Sequence, residues 1–338
     1  MVEQFETVCE APIEKQCNEL SRRALQVAME PLTWPLLNRH GIELILRRDD
    51  QVDDELSGNK FYKLFFNIQA ATAAGFTRVA SFGGAYSNHL HALAAAGHRH
   101  GLQTLGLVRG EQPARLSSTL EDAQHWGMTL CFLPRELYRQ QNSAALTAYV
   151  RERYGDVYLI PEGGANAAGC RGAMVIAQAI EARLDGAYAQ VCMPCGTGTT
   201  LAGVAAGLPT GKIALGFSVL KGAGNLGVDI DRAYRVMLAV KSHTEVVKRS
   251  AGTSGSWRLL SGYHSGGYGK KLPKILRSFW REFELETGLQ LDPVYTLKMF
   301  HAIACLAQAG YWPKATRLVV IHTGGLQGRR GFAAQIDW

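Results

Sequence analysis

No run of apolar residues in this 338-residue chain approaches the length of about 18 that a bilayer-spanning helix needs, so no such helix is expected. Charge is scarce as well. Charged residues make up 19% of the chain, which excludes a highly charged disordered tail and a coiled coil. Internal repeats, low-complexity tracts and flexible linkers are absent, so neither a solenoid nor two beads on a string is expected. The first 16 residues hold four acidic residues and no apolar core, so a secretory signal is not expected and a cytoplasmic location is. Familiar catalytic signatures are missing too. There is no Walker A loop, no H-E-x-x-H and no G-x-S-x-G elbow, which removes the readings those motifs would carry.

The 36 basic and 29 acidic residues leave a net charge of +7, which raises the question of nucleic acid. The best basic stripe is Lys270, Lys274, Arg277 and Arg281, spaced as one helical face. No aromatic ladder accompanies it, so it is read as a solvated face and no nucleic-acid partner is expected. A positive surface also attracts anionic cofactors and substrates. The seven cysteines are scattered and odd in number. Cys192 and Cys195 form one C-x-x-C, but Cys192 falls in a predicted strand, so buried reduced thiols are expected and not a redox pair. His89, His91, His98 and His100 crowd one segment, yet only His91 and His98 share a face, so no metal site is expected.

What the chain has in excess is glycine, 37 of 338 residues against the usual ~7%. It clusters at 83–84, 163–164, 196–203, 262–269 and 324–325, as turns that approach a ligand do. Short apolar runs at 78–82, 103–108, 128–133, 157–160, 190–193, 212–218 and 317–321 alternate with Ala- and Leu-rich stretches such as 88–100, 117–126, 143–154 and 172–184. Runs of that length, rich in Val, Ile, Leu and Phe, read as strands buried on both faces. Their alternation with helices predicts an α/β fold with parallel sheets.

Two glycine turns stand between a strand and a helix. At Gly196-Thr197-Gly198-Thr199-Thr200, glycines let the backbone wrap an anion and three hydroxyls add donors, which suits a phosphate monoester. A bare tight turn stays open as the other reading. At Gly83-Gly84-Ala85-Tyr86-Ser87-Asn88-His89, free N–H groups of a helix start could hold a carboxylate, or Ser87 and Asn88 could simply cap the helix. Lys60 and Lys63, three apart, read on their own as surface lysines.

Taken in order, the motifs resemble one family. Asn59-Lys60 with Lys63-Leu64, then Gly83-Gly84-x-x-Ser87-Asn88-His89, 161–166, 196–200, Asp292-Pro293-Val294-Tyr295-Thr296 and 322–325 are similar to the D-cysteine desulfhydrase / 1-aminocyclopropane-1-carboxylate (ACC) deaminase family of pyridoxal 5′-phosphate (PLP) enzymes, over about residues 44–325. The resemblance implies two three-layer α/β/α domains with mostly parallel sheets, the tryptophan-synthase-β-like fold (fold type II), with the active site in the cleft between them. Residues 1–62 plus 164–338 would form the larger, PLP-binding domain, and 63–163 a smaller one that closes over the substrate. It also implies a homodimer.

Roles follow by resemblance. Lys60 would attach PLP covalently and act as base. Gly196, Thr197, Gly198, Thr199 and Thr200 would cradle the phosphate, with Lys63 adding charge. Asn88 would bond the cofactor's 3′-oxygen, and Thr296 and Thr323 would stand near the pyridine nitrogen. Ser87, Asn88 and His89 would grip the substrate carboxylate, with Tyr295 and Tyr268 as active-site tyrosines. Departures from the family pattern, at Phe61-Tyr62, Phe65-Phe66, Leu90-His91, Cys195, Leu297 and the short segment 110–120, bear on the substrate more than on the cofactor. The implied function is a PLP-dependent lyase or deaminase of a small amino acid, D-cysteine desulfhydrase-like. ACC ring opening is the first alternative and PLP binding without turnover the second. By the same resemblance, Thr296, where an ACC deaminase would carry Glu, and Thr323, in a last motif that lacks Thr in those enzymes, favour β-elimination.

Overall fold

The computed structural model describes residues 13–221, 225–243, 254–267 and 271–336. Among them are ten strands, β1 (Met29–Pro31), β2 (Ile42–Arg47), β3 (Arg78–Gly83), β4 (Gln103–Arg109), β5 (Thr129–Leu133), β6 (Tyr158–Ile160), β7 (Gln190–Cys195), β8 (Ile213–Ser218), β9 (Ser256–Leu260) and β10 (Thr316–Ile321). They form a six-stranded sheet ordered β1-β2-β10-β7-β8-β9 and a four-stranded sheet ordered β5-β4-β3-β6. Every pairing is parallel except that of β1 with β2. The chain leaves the large sheet after β2, builds the whole small sheet, and returns to the large one at β7.

Each sheet is buried on both faces, as the seven predicted runs require, and the side-chain period of two divides each strand between two cores. On β7, Val191, Met193 and Cys195 enter one cluster while Cys192 enters the other. On β10, Val319 and Ile321 face one way, Leu318 and Val320 the opposite way. The two thiols of the C-x-x-C therefore point to opposite faces of the sheet and stay free. Burial pushes the Cys195 thiol up to about 12 and that of Cys192 higher still. Of the basic stripe, Lys274, Arg277 and Arg281 lie exposed on the helix Lys274–Thr287, and Lys270 is outside the described residues. His91 hydrogen-bonds Asp122 and packs edge-on against Trp126. No described helix is long and apolar enough to cross a membrane.

Candidate active site

The site begins at a backbone close approach. Gly58 has φ +73° and ψ −156°, and a Cβ there would lie 1.9 Å from the Thr323 carbonyl oxygen. Only glycine fits, and the contact seats the helix Asn59–Ala73 against the carboxyl end of β10. Behind it, the buried Arg47 donates to Asp49 at 3.0 Å and to the Tyr62 hydroxyl at 3.0 Å, which in turn donates to Asp49 at 2.9 Å. This network ties the end of β2 to the second residue after Lys60. The Lys60 amine donates to Asn59 Oδ1 at 2.8 Å, and Asn59 Nδ2 donates to the Thr200 hydroxyl at 2.9 Å.

Burial pushes the Lys60 amine down to about 8, with the Asp292 carboxylate pulling weakly the other way. Lys63, one turn on, is driven well below the ordinary lysine range by burial and by the Lys60 charge. The neutral fraction of Lys60 grows as pH rises through about 8. Acylation of Lys60 in the cofactor-free protein, followed by peptide mass spectrometry, is therefore expected to level off above pH 9. Exposed lysines, near 10.4, keep accelerating; Lys60 tracking them would refute the shift.

After β7 the chain turns through Gly196 to Gly198 into the helix Thr199–Gly207. Gly198 is left-handed at φ +76°, and a Cβ there would meet Ile230 at 2.3 Å. The Thr197 and Thr199 hydroxyls are 2.9 Å apart. The second turn caps the helix Asn88–His100, with Ser87 Oγ accepting the Leu90 N–H at 3.2 Å. The backbone N–H groups of Asn88 and His89 hydrogen-bond no described residue. Asn88 Oδ1 accepts from Gln327 Nε2 at 2.8 Å.

His89 is fixed in one tautomer. Ser81 Oγ donates its only proton to the Ile160 carbonyl at 2.8 Å, so it accepts from His89 Nε2–H at 2.9 Å. Nδ1 is then a buried lone pair without a partner, and burial plus the charges of Lys60 and Lys63 keep the ring neutral. The imidazole offers no N–H to a carboxylate, so any grip by His89 comes through its backbone N–H.

On the remaining side, the buried Asp292 carboxylate accepts the N–H groups of Val294, Tyr295 and Thr296 and the Thr296 hydroxyl. Thr296 is fully buried in this cap and is not on the cavity wall. Tyr295 packs beside Gly196, and Thr323 reaches the wall just past β10.

Together these groups line a cavity of about 300 Å³. Of the residues singled out by sequence, Lys60, Lys63, Ser87, Asn88, His89, Gly196, Thr197, Gly198, Thr200, Tyr295 and Thr323 meet there. Thr199 and Thr296 do not line it, and Tyr268 lies outside the described residues. Arg109 and Lys221 line it as well, and sequence reasoning missed both; Glu162, in the 161–166 motif but given no role there, also lines it. The carboxyl ends of β3, β4, β6, β7, β8 and β10 all feed the cavity, where open parallel sheets place their ligands.

A model of the pyridoxal-phosphate-dependent enzymes matches residues 27–324, every strand of both sheets. The chain belongs to that family. It is 29% identical over 315 residues to the mitochondrial bifunctional D-cysteine desulfhydrase/1-aminocyclopropane-1-carboxylate deaminase of Arabidopsis thaliana, covering 86% of this chain and 74% of that protein. It is 27% identical over 311 residues to D-cysteine desulfhydrase of Klebsiella pneumoniae, covering 88% and 92%. A solved ACC deaminase homologue superposes with a TM-score of 0.75 at 24% identity, covering 91% of this chain and 92% of that one. The fold is the tryptophan-synthase-β-like fold and the cofactor is PLP.

The residues present fit that cofactor. A phosphate suits the Gly196–Thr200 turn, where left-handed Gly198 leads into a helix start and Thr197 and Thr200 line the cavity. The Lys63 amine, buried and without a hydrogen bond or ion pair among the described residues, lines the same cavity, and a phosphate beside it would draw it back toward the charged form. An aldehyde suits Lys60, whose amine is substantially neutral near pH 8.

Proposed function

We propose that this enzyme eliminates a β-substituent from a small amino acid, in the manner of a D-cysteine desulfhydrase, to give an oxo acid and ammonia. When bound, PLP supplies the electron sink for the carbanion formed at Cα. Lys60 carries the cofactor and takes the Cα proton, a role suited to an amine held near 8. Gly196 to Thr200 and Lys63 hold the phosphate. The Asn88 amide, its oxygen occupied by Gln327, would have its nitrogen left to donate to the ring's 3′-oxygen. The Ser87 hydroxyl and the Asn88 and His89 N–H groups would take the substrate carboxylate, and Tyr295, on the cavity wall beside Gly196, would lie against the ring.

The observation that carries the reading is the polar group past the end of β10. It is Thr323, on the cavity wall, and the Asp292 carboxylate is spent on capping the next helix. A neutral hydroxyl beside the pyridine nitrogen would leave it unprotonated, a weaker sink suited to β-elimination more than to ring opening. Purified holoenzyme supplied with D- and L-cysteine, β-chloroalanine and ACC, and assayed for ammonia and oxo acid, tests this. Turnover of the β-substituted amino acids and none of ACC is expected. Turnover of ACC alone would make it an ACC deaminase, and turnover of none would leave PLP binding as the role.

We also propose that 63–163 is a substrate-closing domain set into a PLP-binding domain of 1–62 plus 164–338. On that division, Ser87→Ala raises KM about 10-fold through the lost hydroxyl while PLP loading stays at wild-type level. Loss of PLP with the fold intact would show that the Ser87 turn serves the cofactor.

A further inference from the structure

Arg109 ends β4, one residue beyond the pairing of Gly83 with Val108, so it stands beside the Gly83–Ser87 turn at the cavity wall. Its guanidinium lies 5.6 Å from the Tyr138 ring centroid, a stacking that orients the planar fork. Gly84 opens the space in front of it, since a Cβ there would lie 3.4 Å from Arg109 Nη2. Arg109 is exposed, and its guanidinium makes no hydrogen bond and no ion pair among the described residues. The one carboxylate on the wall, Glu162, accepts instead from Gln141 at 3.3 Å. A guanidinium held by a ring at the rim of a cavity, exposed and with no protein acceptor, is a receptor for an oxyanion that enters there.

Within the amino-acid lyase reading, on which this step rests, the phosphate loop and the Ser87 turn already account for the cofactor's phosphate and the substrate's carboxylate. We infer that Arg109 is the specificity residue of the cavity and reads a second oxyanion, a carboxylate, sulfonate or phosphate, at the far end of a small amino acid. The preferred substrates therefore carry a negatively charged side chain. A cavity of about 300 Å³, at the low end for small-molecule sites, limits that side chain to a few atoms.

Titrating PLP-loaded protein with two matched pairs, aspartate against asparagine and O-phosphoserine against serine, in both enantiomers, and following the absorbance of the bound cofactor, gives Kd ratios. The wild type is expected to prefer the charged member about 10- to 100-fold in at least one pair. Arg109→Met should bring that ratio to near one, and Arg109→Lys to an intermediate value, with PLP loading confirming the fold of both. A wild-type ratio near one, or a ratio that survives Arg109→Met, overturns the inference. The second result would include the case in which Arg109 holds the substrate's α-carboxylate and both members weaken equally. Failure of all four amino acids to perturb the cofactor's absorbance would instead refute the amino-acid reading beneath it.

Discussion

Lys60→Ala is expected to leave a folded protein whose turnover falls at least 1,000-fold, since a positioned base alone contributes about 10²- to 10⁴-fold and covalent attachment is lost with it. The loss is chemical and not structural. Burial disfavours the charged form of Lys60, and its amine sits at about 8, below the unfolded lysine value of about 10.4. A basic group with a depressed folded pKa is protonated at a cost in the fold at pH 7, so removing it leaves Tm unchanged or raised. Differential scanning calorimetry beside the assay separates the two effects, and partial rescue by added methylamine is the result a merely structural lysine would not give. Retention of a tenth of wild-type turnover would remove Lys60 from the chemistry.

Gly58→Ala should do the opposite and unfold the molecule or misplace the site. A residue at φ +73° and ψ −156° occupies backbone space that is nearly glycine-only, and the new Cβ would sit 1.9 Å from the Thr323 carbonyl. The backbone must move, at a cost of about 3 kcal/mol or more. The same shift separates Lys60 from Thr323, so any folded fraction should load PLP poorly. Denaturant unfolding checks the first effect and absorbance of bound cofactor the second. A variant within about 1 kcal/mol of wild type that loads PLP normally would show that this close approach is dispensable.

Seven strands were legible in the sequence because burial on both faces makes them continuous apolar runs. The other three were not. β1 is a three-residue edge strand containing Pro31, β2 carries Glu43 and the buried cation Arg47, and β9 is a half-exposed edge holding Ser256 and Arg258. The two glycine turns were legible as anion sites from local backbone chemistry, whereas Lys60 looked like any surface lysine until family resemblance singled it out. Its surroundings are contributed by the Arg47–Asp49–Tyr62 network, Gly58 and Thr323, which the sequence separates by up to 276 residues, from Arg47 to Thr323. Arg109 was missed for a related reason. A basic residue at a strand end has no local signature, and only the alignment of β4 beside β3 brings it to the cavity. Thr296 shows the converse: its place beside Tyr295 suggested a cofactor contact, and the fold uses its hydroxyl against Asp292.

Borohydride reduction of the PLP-loaded protein, followed by digestion and peptide mass spectrometry, tests the central claim most directly. The reductant fixes the carbon–nitrogen bond between cofactor and lysine, and two amines one turn apart, the half-buried Lys60 and the buried Lys63, compete for it. The pyridoxyl mass should appear on Lys60 alone, at close to one per chain. A label on Lys63, or on any lysine outside the cavity, would contradict the site described here.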